Sequence, residues 1–353
     1  LLFVVIKSIL KQLIVTDCYF DNLGLEMKDF LPLVSAVMPS YNEEKFIKRS
    51  IESLIDDYFI KDCELIIVDG MSSDGTREVV QSFIKKGLRV RLLENKKKIQ
   101  AYGLNLGISN AKGDIIVRVD AHCLYPPGYI NKCVELLETT GASNVGGMML
   151  PQGASTNQKA ISLALIHPLG VGDAKWHLGN FNGYVDTVYL GTFRKKLFDE
   201  IGLYDTNCKT NEDSELNLRI LKAGKRIYLD SSIRVIYFPR ESLQKLAMQY
   251  FKYGRGRCYT SIKHKKITSL RQLAPVMLII GLSLFLILSF FWPLFLLFPL
   301  SYLLALFLTT LFSWPKKKIP LKQRLLVGLA WAIMHTCWGI GFLSYLIFHK
   351  KIR

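Results

Sequence analysis

The chain has 353 residues, enough for one large domain and an appendage. Lys and Arg outnumber Asp and Glu by 46 to 29, a formal charge of +17 that suits an anionic partner, yet no RNA- or DNA-binding motif accompanies it, so nucleic acid is set aside. The seven cysteines are scattered, with no CxxC and no zinc-ligand spacing, which excludes a disulfide scaffold or zinc module and reads as thiols in a reducing compartment.

Leu1–Val15 is apolar, with Lys7, Ser8, Lys11 and Gln12 at helical spacing on one face. This pattern fits a short amphipathic helix at an interface better than a signal peptide, and residues 1–30 are taken as an extension. From Leu33 strand and helix patterns alternate. Strands are expected at Val34–Pro39, Leu65–Val68, Arg89–Leu93 and Ile115–Val119, and helices at Glu43–Phe59, Thr76–Lys85 and Gln100–Ala111. Such alternation predicts a mainly parallel sheet covered by helices, an α/β domain whose ligands bind beyond the carboxyl ends of the strands. Those ends carry Ser40-Tyr41-Asn42-Glu43, Asp69-Gly70 and Asp120-Ala121-His122. The second half is less regular. It holds strand patterns at Val145–Leu150 and Thr187–Leu190 and helix patterns at Glu212–Lys222 and Leu243–Tyr253.

From Gln272 to Pro315 no residue is charged, and this run of 44 residues is about twice what one membrane helix needs. Pro293 and Pro299 offer breaks, which gives two spans near 274–291 and 295–313. Seven basic residues precede the run between Lys252 and Arg271, and five follow it between Lys316 and Arg324. Both clusters belong on the cytoplasmic side by the positive-inside rule, so the two spans form a hairpin. Leu325–Phe348 is a third apolar stretch, interrupted only by His335. A single crossing there would carry Lys350, Lys351 and Arg353 outward, against the same rule. A re-entrant segment or a double pass around Gly339 and Gly341 would avoid this. The expected division is a domain over 31–258, a basic juxtamembrane segment over 259–272 and a transmembrane region over 273–353.

An Asp-x-His at a strand end, here Asp120 and His122, can place two ligands beside one divalent cation, Mn²⁺ or Mg²⁺, able to neutralise a departing diphosphate. Several longer segments then fall into a pattern. Val34-Ser-Ala-Val-Met-Pro-Ser-Tyr-Asn-Glu-Glu44, Ile67-Val-Asp-Gly-Met-Ser-Ser-Asp-Gly-Thr76, Asn105-Leu-Gly-Ile108, Ala111-Lys-Gly-Asp114 and Asn211-Glu-Asp213 occur in this order around Asp120-Ala-His122. Over residues 33–258 the chain resembles the family 2 glycosyltransferases, which have the GT-A fold, a Rossmann-like mixed sheet. Arg118-Val-Asp-Ala-His122, His167-Pro-Leu-Gly-Val-Gly172, Val185-Asp186, Gly191-Thr-Phe-Arg194, Asn211-Glu-Asp-Ser-Glu215 and Gln249-Tyr-Phe-Lys-Tyr-Gly254 narrow the likeness. They are similar to the succinoglycan-type glucosyltransferases of bacterial exopolysaccharide synthesis.

The resemblance implies roles. Pro39, Tyr41 and Glu43 would border the nucleoside, with Asp69 near the uracil and Asn105 in the same pocket. Asp120 would hold the ribose side of the diphosphate and the metal. His122 stands where the family commonly has a second Asp. Asp213 would be the general base of an inverting transfer, with Glu212 as the alternative. Processive members carry Gln-x-x-Arg-Trp; Gln249-Tyr-Phe-Lys252 departs from it, which favours addition of single sugars. Arg255 or Arg257 could still meet the diphosphate, or form part of an interfacial basic patch. Trp176 and His177 read equally as an acceptor platform or as packing, and His335, a single imidazole with no visible partner, reads as structural before it reads as a residue facing a lipid diphosphate.

Taken together, these features predict a membrane-bound enzyme of the bacterial inner membrane, multi-pass, with its catalytic domain cytoplasmic. It would move glucose from UDP-glucose to a lipid-linked saccharide, alongside polysaccharide-assembly partners. A processive synthase and a non-catalytic GT-A scaffold are the rival readings.

Overall fold

The computed structural model describes residues 33–55, 63–267, 272–314 and 318–348. The expected N-terminal amphipathic helix lies outside the described residues. The first half builds β1 (Val34–Ser40), α1 (Glu44–Ile55), β2 (Cys63–Asp69), α2 (Thr76–Lys85), β3 (Val90–Glu94), α3 (Gln100–Asn110) and β4 (Ile115–Arg118). β2 is buried along its whole length, as a strand covered on both faces must be. α1 turns Ile47, Ile51 and Leu54 inward at helical spacing. α3 lies close on the sheet because Gly107 has no side chain: a Cβ there would run into Val37.

The second half adds β5 (Cys123–Leu124), α4 (Tyr129–Thr140), β6 (Asn144–Pro151), α5 (Thr156–Leu165), α6 (Pro168–Val171), β7 (Gly183–Val185), β8 (Tyr189–Arg194), α7 (Leu197–Ile201), α8 (Glu212–Lys222) and β9 (Ile227–Tyr237). The sheet order is β3-β2-β1-β4-β8-β6-β9-β5, with β7 also paired to β9. β3, β2, β1 and β4 run parallel, and β8 is antiparallel to both of its neighbours, which makes the sheet mixed. The apolar core lies on both sides of this sheet.

Two expectations change at the C-terminal end. The helix expected to stop at Tyr253 is α9, Leu243–His264, and it runs through Gly254 and Gly256, so the boundary drawn at residue 258 falls inside a helix. Neither glycine interrupts α9, because each is a contact point: a Cβ on Gly254 would meet the Trp338 carbonyl, and one on Gly256 the Thr210 carbonyl. The apolar run forms α10 (Ala274–Leu288), a 3₁₀ turn at Pro293–Leu296 and α11 (Leu297–Phe312). The last stretch is α12, one unbroken helix over Leu321–Phe348, which removes the double pass. Gly339 and Gly341 do not break it because they abut the backbone of Pro275 and Phe251. Among the described residues, Pro293–Phe312 and Leu321–Phe348 are long and apolar enough to cross a membrane; Ala274–Leu288 is shorter.

Candidate active site

The carboxyl ends of β1 and β2 form one wall of the site. Asn42 and Met71 take left-handed backbone conformations (φ 55° and 61°) that fold the two loops onto each other. The Asn42 amide donates to Ser72 Oγ (2.9 Å), and its side-chain carbonyl accepts from the Ser73 amide (2.9 Å). The Glu43 amide donates to Thr76 Oγ1 (2.8 Å), and the Glu44 amide to Asp74 (3.2 Å). Asp69 is 0% exposed and accepts from the Ser72 amide (2.9 Å) and hydroxyl (2.5 Å). Through these bonds Asp69 shapes the loop that follows β2. Pro39 pairs with Val68 in the sheet beneath the wall. Tyr41 stands at the rim, 49% exposed, with the Lys98 ammonium 5.6 Å from its ring centroid.

The other wall is electrostatic. Arg118 ends β4 and is buried, which is tolerable only if its charge is paired. Its Nη2 lies 3.1 Å from Glu212, and its Nε 3.6 Å from Asp120 Oδ1. This bridge joins the end of β4 to the first turn of α8 and so brings Asp120, Glu212 and Asp213 into one neighbourhood. Burial works against the charge on Arg118, but Asp120 and Glu212 outweigh it and hold the guanidinium protonated. Burial pushes the Glu212 carboxyl above its ordinary range, and Arg118 draws it only part of the way back. Arg118 Nε, Arg118 Nη1 and Asp120 Oδ1 are buried without a hydrogen-bond partner. Buried polar atoms in that state call for a partner such as a water, an ion or a ligand.

Asp213 is half-buried one residue beyond Glu212, and its Oδ1 accepts from the Ser214 amide (2.7 Å). The N-terminus of α8 favours negative charge at this position. Arg257 reaches the same turn from α9, its Nη2 donating to Ser214 Oγ (3.1 Å). Asn211, in a left-handed conformation (φ 60°), fixes the turn by donating to the Tyr253 carbonyl (2.8 Å). His122 Nδ1 lies 3.1 Å from Glu43 Oε1. Burial opposes a proton on His122, but the Glu43 carboxylate prevails and raises its pKa. Asp120 Oδ1, lacking a hydrogen bond, fits a cation. Among the described residues no group of three His, Cys, Asp or Glu is assembled around one point, so the protein would supply only part of a coordination sphere.

Other expected site residues lie elsewhere. The Asn105 amide is tied to the backbone of Tyr204, donating to its carbonyl (2.8 Å) and accepting from its N–H (2.9 Å). It pins the loop that carries Tyr204 next to Arg118. Arg255 faces α12, bonded to Ser344 (3.3 Å) and lying over the Tyr345 ring. His335 has both ring nitrogens engaged, with the Leu169 carbonyl (2.7 Å) and the Tyr302 hydroxyl (3.0 Å), so it is not aimed at a lipid diphosphate. Trp176 stacks on Tyr189 (5.7 Å, 8°) and belongs to packing. Sequence reasoning overlooked Arg118 as a group in its own right. The signal was there: an arginine at the end of the apolar strand Ile115–Val117 needs a buried counter-charge.

Residues 35–202 match the sequence profile described as Glycosyl transferase family 2. The succinoglycan biosynthesis protein ExoA of Rhizobium meliloti (strain 1021) is 36% identical over 242 residues, which covers 68% of this chain and 73% of that protein. The chain belongs to glycosyl transferase family 2. This family 2 glycosyltransferase is also 28% identical, over 64% of its length and 72% of the relative's, to a dolichyl N-acetyl-alpha-D-glucosaminyl phosphate 3-beta-D-2,3-diacetamido-2,3-dideoxy-beta-D-glucuronosyltransferase of Methanococcus voltae. Among solved structures, the mannosyltransferase PcManGT from Pyrobaculum calidifontis, in complex with GDP-Man and Mn²⁺, superposes with a TM-score of 0.57. The identity is 18%, and the match covers 89% of this chain and 87% of that one, a likeness of fold.

Proposed function

We propose that this glycosyltransferase carries out inverting transfer of a single sugar, glucose from UDP-glucose, to a lipid-linked saccharide at the cytoplasmic face of the bacterial inner membrane. The observation that carries the proposal is the Arg118 bridge, which holds Asp120 at the end of β4 and the Asp213 turn of α8 to one side chain. Asp213 is the general base. It takes the proton of the acceptor hydroxyl as that oxygen attacks the anomeric carbon and the bond to the diphosphate oxygen breaks with its electron pair. Glu212 is not the base, since its carboxylate is nearly sealed from solvent against Arg118. Arg118 and Arg257 face the charge that develops on the leaving diphosphate, a role suited to guanidinium groups.

A divalent cation, Mn²⁺ or Mg²⁺, would be held by Asp120 with His122 and would supply charge neutralisation at the diphosphate. Tyr41, with Glu43 behind it, forms the nucleoside side. The membrane location rests on the apolar helices, and the acceptor class on the two relatives, one a succinoglycan biosynthesis protein and the other a glucuronosyltransferase named for a dolichyl-linked sugar phosphate. The test is to incubate membranes holding the protein with a panel of radiolabelled nucleotide sugars and extracted lipid acceptors, with Mn²⁺, Mg²⁺ or chelator. Label should enter the lipid fraction as one sugar from the UDP-linked donor. A long polymer, or transfer unaffected by Asp213→Asn, would refute the assignment.

A further inference from the structure

We infer that α12 does not cross the bilayer but lies along its cytoplasmic surface, one face built into the enzyme and the other on lipid, so that both of its ends stay on the catalytic side. The inference builds on the membrane reading above.

α9 is tied to the catalytic domain by ion pairs at both ends. At its start Glu241 pairs with Lys45 (3.1 Å) and Lys245 (2.8 Å). At its end Lys263 pairs with Asp205 and Glu215 (2.7 Å each), and His264 lies 2.9 Å from Glu215. α12 runs beside α9 in the same direction. Phe251 abuts Gly341, Gly254 abuts Trp338, Arg255 bonds Ser344, and Tyr259 meets the Tyr345 ring edge (6.2 Å). Nearer its own start, Trp331 is fully buried and donates to the Ala164 carbonyl of α5 (3.2 Å). From Trp331 to Tyr345 is about 21 Å of helix, most of a ~30 Å hydrocarbon core. A crossing α12 would drag α9 into that core with Lys252, Arg255 and Arg257, charged side chains that are costly at the bilayer centre.

The opposite face of α12 carries Leu321, Leu325, Leu329, Ile340 and Ile347, all exposed and on one side at helical spacing. Lys322 is exposed beside this stripe, and Lys265 and Lys266 beyond the end of α9, cations that complement anionic headgroups. The α10–α11 hairpin stands on the same helix, Pro275 against Gly339 and Thr310 against Gly328. It is exposed nearly all round, Phe290 to 90% and Phe291 to 84%, as an inserted anchor should be. The placement removes the conflict between the basic C-terminal residues and the positive-inside rule. It also sets the bilayer surface one helix away from α9, against which the Asp213 turn is fixed, so a lipid-linked acceptor meets the base without leaving the membrane.

The test uses the full chain in bacterial membranes, with Cys18 and Cys337 replaced by serine and transfer activity retained. Lys322→Cys and Phe348→Cys, near the two ends of α12, should both react with an impermeant maleimide in inverted vesicles and neither in intact cells. Reaction from opposite sides would overturn the inference. A second measurement places a bimane at Leu325→Cys, Leu329→Cys, Ile340→Cys and Ile347→Cys in phosphatidylethanolamine–phosphatidylglycerol vesicles. Lipids brominated near the headgroup should quench all four more strongly than lipids brominated near the chain end. Deepest quenching at the central positions would mean a crossing helix. A chain that does not float with the vesicles would instead refute the membrane reading itself.

Discussion

The two walls of the site are built on opposite terms. The wall at β1 and β2 satisfies itself: Asn42, Asp69, Asp74 and Thr76 use their polar groups on each other's loops. The wall at β4 and α8 does not, for it buries Arg118, Asp120 and Glu212 and leaves three of their polar atoms without hydrogen bonds. A self-satisfied loop is rigid before the ligand arrives and can present a shaped surface at little further entropic cost. An under-satisfied charge cluster stores interaction for whatever completes it, as a group that must stabilise charge developing in a reaction should. Substitutions on the second wall should therefore cost turnover more than stability, and on the first wall the reverse.

The largest expected effect is at Asp213. Asp213→Asn keeps shape and volume and removes the proton acceptor, so kcat should fall about 10²–10⁴-fold with donor KM and thermal unfolding nearly unchanged. Glu212→Gln should differ by disturbing Arg118 and raising donor KM as well; if instead it alone lowers kcat with KM intact, the two carboxylates exchange roles. The next effect is ligand linkage. UDP with Mn²⁺ at about 100 times its Kd should stabilise the protein by about 2.7 kcal/mol, read as a shift in thermal midpoint. Asp120→Asn should lose the metal-dependent part of that shift while unfolding without ligand near the wild-type midpoint. A large destabilisation of the ligand-free variant would contradict the division between the walls.

How much of this was legible in the sequence follows the same division. The first four strands read clearly because each is a short apolar run ending in polar residues, and the three predicted strand-end clusters do meet at one edge of the sheet. The fold class and the family were legible too, through motifs whose order constrains them jointly. Asp69 and Asn105 were less so: a motif marks a residue as necessary without saying whether its side chain faces ligand or holds a loop, and here both hold loops. α12 was misjudged for a related reason. Hydropathy counts apolar residues and is silent about their neighbours, and Gly254, Gly339 and Gly341 signal close helix contact as readily as a break. The Arg118 bridge depends on β4 and α8 meeting across a long stretch of chain, which no local pattern encodes.

The smallest effect belongs to the self-satisfied wall and tests it directly. Asp74 accepts from the Thr76 hydroxyl (2.5 Å) and amide (3.1 Å) and from the Glu44 amide (3.2 Å), so it braces the turn before α2 and ties in α1. Burial raises its pKa, but these three bonds together prevail and hold the carboxyl below the ordinary aspartate value of 3.8. A depressed carboxylate contributes stability that is complete above its unfolded pKa and fades as pH falls through the folded one. Asp74→Ala should thus cost about 1 kcal/mol at neutral pH, as loss of a side-chain hydrogen bond does, with a modest rise in donor KM and kcat close to wild type. As pH falls below the ordinary aspartate pKa the difference in unfolding midpoint should shrink toward zero, because the wild-type carboxyl becomes protonated and its bonds weaken. A deficit that stays constant across that range would mean the side chain acts by shape alone. A fall in kcat with unchanged stability would move Asp74 from the rigid wall to the reactive one.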